Sequence, residues 1–142
     1  MEGEVTALEI SAGAMAAQRG RINILAENLA NAETTRTAEG GPYRRKLAVF
    51  GAEPVAEFAQ TLEGAQLSTV RLLDVTESPE PPRLVYHPGH PDANAEGYVA
   101  FPNVNPLLEM TDLLAASRAY EANVTAVQAT KAMANKALEI GR

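Results

Sequence analysis

The sequence predicts a mainly α-helical protein with a small β-rich insertion, its long N- and C-terminal helices paired as an antiparallel coiled coil. Three observations carry this. The last third of the chain, from Asn105, runs without proline after Pro106 and without glycine before Gly141. The first thirty or so residues repeat apolar positions at the same three-and-four spacing. Between them lie short β-branched stretches punctuated by proline and glycine.

The N-terminal helix is expected from about Val5 to Leu29, within a segment 1–31. Val5, Leu8, Ala12, Met15, Arg19, Ile22, Ala26 and Leu29 form one stripe. Ala7, Ile10, Ala14, Ala17, Arg21 and Ile24 form a second, displaced by two residues. Gly13 and Gly20 interrupt the helix, each at up to ~1 kcal/mol against alanine; they are either tolerated or mark the close approach of a neighbour. Asn28, Asn31 and the threonines at 34, 35 and 37 signal the helix end and a polar loop.

Residues 32–85 read as the β-rich insertion. Gly40-Gly41-Pro42 makes a turn and Tyr43 to Phe50 a strand; its Arg44-Arg45-Lys46 run could bind an anion but better suits a solvated edge. Glu57, Phe58 and Leu62 fit a short helix or a loop. Leu67 to Val75 alternates as a strand, Ser78 to Pro82 is a loop because of its prolines, and Arg83 to Tyr86 suits one more short strand. Residues 86–105 form a proline- and asparagine-rich extended arm.

The C-terminal helix opens on Asn105 as N-cap with Pro106 at the first helical position. Its residues from Pro106 to Ile140 would make a rod of roughly 50 Å. Within the segment 106–142, Met110, Leu113, Ser117, Tyr120, Val124, Val127, Lys131, Ala134 and Leu138 form a heptad seam with two polar interruptions. Ala115, Ala119, Ala122, Ala126, Ala129 and Met133 form a second stripe, nearly opposite it, since two residues turn a helix by about 200°. A surface helix needs one apolar face; two faces call for neighbours on two sides, and small side chains let them come close. The expected packing interface is therefore Leu8, Ala12, Met15, Ile22 and Leu29 with Met110, Leu113, Tyr120, Val124 and Val127, and, on the other face, Ala115, Ala119, Ala122, Ala126 and Ala129. The seams hold few large residues, so an isolated helix pair is marginal and further subunits on the alanine stripes supply the missing burial.

Composition narrows the function. Of 142 residues 46% are hydrophobic but only 5% aromatic, so alanine rather than large side chains makes up the apolar content. A net charge of −6 argues against nucleic-acid binding. By count, the acidity is concentrated in residues 32–105, which carry ten acids and six bases; both ends are nearly neutral. The chain has no cysteine, which removes disulfides and thiol chemistry. No run approaches the ~18 apolar residues of a membrane span, so no direct membrane insertion is expected. The acidic Met1-Glu2-Gly3-Glu4 does not look like a cleavable signal.

The best candidate for chemistry is His87-Pro88-Gly89-His90-Pro91-Asp92, where His87, His90 and Asp92 stand as possible metal ligands of a hydrolase. It matches no helix-borne metalloprotease pattern, has no third histidine, and its prolines already account for a rigid turn. No Gly-x-Ser-x-Gly elbow or phosphate-binding glycine loop is present. Neither catalytic, cofactor-binding nor metal residues are expected, and the protein reads as no enzyme. A second possibility is a non-polymerising coiled-coil adaptor for one partner helix, which would leave one helical face wet.

Asn28-Leu29-Ala30-Asn31 resembles the signature that closes the N-terminal helix in the flagellar rod and hook protein family. The run from Tyr86 to Val99, then Pro102-Asn103-Val104-Asn105, resembles the arm of a proximal-rod member, as do Ala116 to Val124 and the ending Leu138 to Arg142. His87 stands where that pattern has aspartate and Gly89 where it has serine. The resemblance implies a non-enzymatic subunit of the bacterial flagellar basal-body rod in the periplasm. It implies partners among other rod proteins and copies of itself in a helical assembly that transmits torque. It also implies export through the flagellar type III apparatus, which uses no cleavable signal peptide.

Overall fold

The computed structural model describes residues 2–55 and 67–140. Helix α1 spans Glu2–Ala30 and helix α2 spans Pro106–Ile140. Between them, β1 (Lys46–Pro54) and β2 (Ser68–Glu77) form one antiparallel pair, and β3 (Arg83–Tyr86) and β4 (Tyr98–Phe101) form a second. The observed class is two long helices with a small antiparallel β insertion. The suggested helix or loop at Glu57–Leu62 lies outside the described residues.

Asn105 caps α2 as its sequence predicts, its Oδ1 accepting from Leu107 N at 3.1 Å. The helices run along each other in opposite directions. Asn28 near the end of α1 meets Glu109 in the first turn of α2, and Arg21, farther back, pairs with Asp112 at 3.6 Å. On α2 Glu109 and Ala116 are buried, and Leu113, Ser117, Tyr120, Asn123, Val124, Val127, Thr130 and Ala134 are among the partly covered residues. The predicted seam is thus covered at Leu113, Ser117, Tyr120, Val124, Val127 and Ala134 and exposed at Met110, Lys131 and Leu138. At its start the cover falls one residue earlier, on Glu109, because pairing with Asn28 and Arg45 turns Glu109 inward.

The β1–β2 pair lies against α1. Its register shifts between Val49 and Phe50, which pair with Asp74 and Leu72, so Leu73 is the extra residue of a bulge and its side chain covers Gly51. The two helical glycines mark where β2 touches α1. A Cβ at Gly13 would collide with Thr69 Oγ1 and stand 3.3 Å from Thr69 Cβ and 3.4 Å from the Val70 carbonyl oxygen. At Gly20 it would stand 2.9 Å from Leu72 Cδ2, the far end of a flexible side chain. The close neighbour at these glycines is thus a strand. Gly13→Ala should destabilise by about 1–3 kcal/mol, since backbone and a Cβ block the new methyl. Gly20→Ala should be neutral or stabilising by up to ~1 kcal/mol, helix propensity outweighing a small shift of Leu72. Urea unfolding followed by far-UV circular dichroism distinguishes the two.

Strand β1 starts three residues later than the sequence suggests; ahead of it the Tyr43 and Arg45 side chains turn toward the helices, to Asn28 and Glu109. The arm is more structured than expected. It contains β4, which folds back on β3, so the boundary drawn at residue 85 falls inside a strand. The loop between them closes on His87 N donating to Gly97 O at 2.8 Å, with Gly97 at φ 83°, a conformation that favours glycine.

Candidate functional site

Where α1 ends and α2 begins, a buried polar junction joins three segments of chain. Asn28 is 0% exposed and Glu109 is 1% exposed. All the hydrogen-bonding capacity of the Asn28 amide is used. Its Nδ2 donates to Lys46 O at 2.9 Å and to Glu109 Oε2 at 3.1 Å; its Oδ1 accepts from Lys46 N at 2.8 Å and from Tyr43 OH at 2.9 Å. The side chain thereby pairs with the first residue of β1 as a strand would. The other oxygen of Glu109 accepts from Arg45 Nε at 2.6 Å, and Lys46 Nζ reaches Glu27 Oε1 at 2.5 Å. A buried carboxylate is tolerated when a charge-assisted bond neutralises it and each oxygen has a donor; both conditions hold. The site therefore fixes geometry, with Asn28 holding one oxygen of Glu109 and Arg45 the other.

This corrects one sequence reading and sharpens another. The Arg44-Arg45-Lys46 run is not simply a solvated edge, since Arg45 and Lys46 point into the junction and Arg44 lies 4.0 Å from Glu77. The two asparagines that close α1 have separate jobs: Asn31 stays local, donating to Glu27 O at 2.9 Å and accepting from Thr34 Oγ1 at 3.1 Å.

Burial pushes the Tyr43 hydroxyl up from 10.0 to about 12, helped by the negative charges of Glu27, Glu109 and Glu77. The native state holds this proton where the unfolded chain releases it, so the contribution is fully present below pH ~10 and is lost as pH rises through the folded value. Stability should fall between about pH 10 and about pH 12, and Tyr43→Phe should flatten that part of a urea-midpoint-against-pH curve.

His87 and His90 meet edge to face at 5.7 Å, while Asp92 serves as a tie. Asp92 accepts from Thr35 Oγ1 at 2.8 Å and lies 3.7 Å from Arg36, which fastens the arm to the loop after α1. His90 Nδ1 accepts from the Asp92 backbone N–H at 3.1 Å. Among the described residues no group of three acidic, histidine or cysteine side chains is placed to hold a metal ion.

The predicted packing residues divide into two groups. Leu8, Met15, Ile22 and Leu29 on α1 and Leu113, Tyr120, Val124 and Val127 on α2 are partly buried, whereas Ala12 and Met110 are exposed. On the alanine stripe, Ala119 is partly covered and Ala115, Ala122, Ala126 and Ala129 are exposed. The stripe is longer than its alanines. Leu108 continues the seven-residue repeat of Ala115, Ala122 and Ala129, while Met133 and Ile140 continue that of Ala119 and Ala126; these three large side chains are 59%, 61% and 86% exposed. A second uncovered flank carries Leu107, Met110 and Leu114.

Comparison with known proteins agrees with this geometry. Residues 8–36 match the family model described as flagella basal body rod protein, and residues 95–140 match that of the flagellar basal body rod FlgEFG protein C-terminal region. The chain is 46% identical over 146 residues to the flagellar basal-body rod protein FlgC of Bacillus subtilis, covering 95% of this chain and 96% of the relative. It is 41% identical to FlgC of Escherichia coli O6:H1 over 94% of this chain and 95% of that one, and 36% identical to FlgC of Borreliella burgdorferi over 97% of each. The matched N-terminal segment holds Asn28 and the C-terminal one Glu109, the two ends of the buried junction, and on this similarity the chain belongs to the FlgC family of flagellar basal-body rod proteins, structural subunits rather than enzymes.

Proposed function

We propose that the protein is a subunit of the proximal rod, assembling helically with other rod proteins and copies of itself and transmitting torque through packed helices. The observation that carries this is uncovered surface. The chain exposes 9985 Å². A compact monomer of 15.1 kDa would expose about 7,000 Å². The excess, roughly 3,000 Å², corresponds to several interfaces at about 800 Å² per partner. Much of it belongs to α2, where only Glu109 and Ala116 are buried. An adaptor with a single partner would leave one flank of α2 wet and polar, yet both flanks carry apolar side chains.

In this reading the paired helices supercoil as an antiparallel coiled coil facing inward, and the β insertion and arm face neighbouring subunits. The subunit reaches the periplasm through the flagellar type III apparatus; among the described residues no helix is long and apolar enough to cross a membrane. The test is direct. Basal bodies purified from a deletion strain carrying an epitope-tagged copy should contain the chain in stoichiometric amount, with swimming restored. A tagged, functional copy that stays outside the basal body would refute the assignment.

A further inference from the structure

The β3–β4 hairpin presents an exposed aromatic face. Register places Leu84 opposite Ala100 and Tyr86 opposite Tyr98 on one side, and Val85 opposite Val99 on the other. The second side is packed, with Val99 1% exposed. The first is open, with Leu84, Tyr86 and Tyr98 at 64%, 63% and 40%. Among the described residues neither helix and neither of the other strands packs on this hairpin.

The face is nonetheless held rigidly. Tyr86 and Tyr98 meet edge to face at 5.3 Å. A Cβ on Gly97 would stand 2.9 Å from Tyr86 Cε2 and 3.2 Å from Pro88 Cβ, so the glycine makes room for the ring. At its base the arm is fixed by Asp92 to Thr35, by Asn103 Nδ2 to Glu80 Oε2 at 2.9 Å, and by Val104 packing with Ala32 and Tyr43. Exposed tyrosines whose conformation is already set are the composition and preorganisation of interface anchors.

We propose that this face docks on the alanine stripe of α2 in a second copy of the chain. The inference rests on the rod-subunit reading. In a helical assembly the contact between copies is heterologous, joining two different patches of the same chain. This chain has one patch of projecting rings and another of small side chains, and the surplus exposed surface is large enough to supply such a contact. Charge favours the same pairing. Copies of a −6 chain repel. The acidity lies in residues 32–105, whereas the segment 106–142 has four acids and four bases. The hairpin therefore meets α2 at less electrostatic cost than it would meet another hairpin. Leu84, Tyr86, Tyr98 and Ala100 carry no charge, and neither do the stripe residues Ala115, Ala119, Ala122, Ala126, Ala129 and Met133, so the contacting side chains themselves bring no ion into the interface.

The absence of native cysteine makes the test clean. Tyr86→Cys and Ala122→Cys are placed in one chain, basal bodies are purified, and a short bis-maleimide is applied. The expected result is an adduct of twice the chain mass, absent from either single variant and from unassembled protein. Basal bodies that contain the double variant but give no such adduct, or give one to a different protein, overturn the proposal. Should the Tyr86 variant not enter basal bodies, Leu84→Cys with Ala122→Cys carries the same two outcomes. Absence of even the unsubstituted chain from basal bodies would refute the rod assignment itself, which keeps the two failures distinct.

Discussion

Asn28→Ala should destabilise the protein by about 3–5 kcal/mol, the range for breaking a buried charged network. The substitution removes four hydrogen bonds in a site that water does not reach. It leaves the Tyr43 hydroxyl, one Glu109 oxygen and both backbone groups of Lys46 seeking partners. Each buried group left alone costs about 1–3 kcal/mol, and the sum is less than additive because the four share one cavity. A lowering of Tm by roughly 10 °C or more follows for a chain of this length. Asn28→Asp should be as damaging as alanine, although it is nearly isosteric, because it loses the donor to Glu109 and sets a second carboxylate against it. Adding Glu109→Gln, which restores a donor and removes the repulsion, should recover part of the loss. Asn31→Ala, whose bonds are local and partly exposed, should cost no more than about 1 kcal/mol. Far-UV circular dichroism in urea measures all four. An Asn28→Ala loss below about 1 kcal/mol would show that the junction does not hold the helices together.

Part of this junction was legible in the sequence. The stripe Ile10, Ala14, Ala17, Arg21, Ile24 continues at the same spacing onto Asn28, so a polar residue on an otherwise covered face was visible as an anomaly. Its partners were not. Glu109 lies 81 residues away, and no local pattern couples them. The same limit explains the seam of α2, where hydropathy selects Met110 while tertiary pairing selects Glu109 at the neighbouring position. The helices themselves were legible because their periodicity extends over many turns. Strand β4 was not, because four residues between a turn and a proline carry little periodic signal, and pairing with β3 is what makes them a strand. The glycines of α1 indicated a close neighbour, but the identity of that neighbour as Thr69 and Leu72 of β2 depended on how the hairpin folds back.

Ala122→Leu with Ala126→Leu should abolish rod assembly and swimming while leaving the monomer as stable as before. Both positions are exposed on α2, and leucine is nearly as good a helix former as alanine, so the folded monomer should change by less than about 0.5 kcal/mol. In the assembly the same side chains would stand where a neighbour packs against small residues. Overpacking a close contact costs about 1–3 kcal/mol per site, and every copy would bear two such sites. Unlike a core defect, this cost cannot be recovered by local relaxation of the subunit, since the misfit lies between rigid bodies and recurs at each step of the helix. Ala122→Ser with Ala126→Ser keeps the volume small and should retain swimming, which separates size from hydrophobicity. Unchanged urea midpoints together with lost motility for the leucine pair, and kept motility for the serine pair, are the expected pattern. Swimming by the leucine variant would mean that no close neighbour occupies this face, and the uncovered alanines would then be ordinary solvated helix surface.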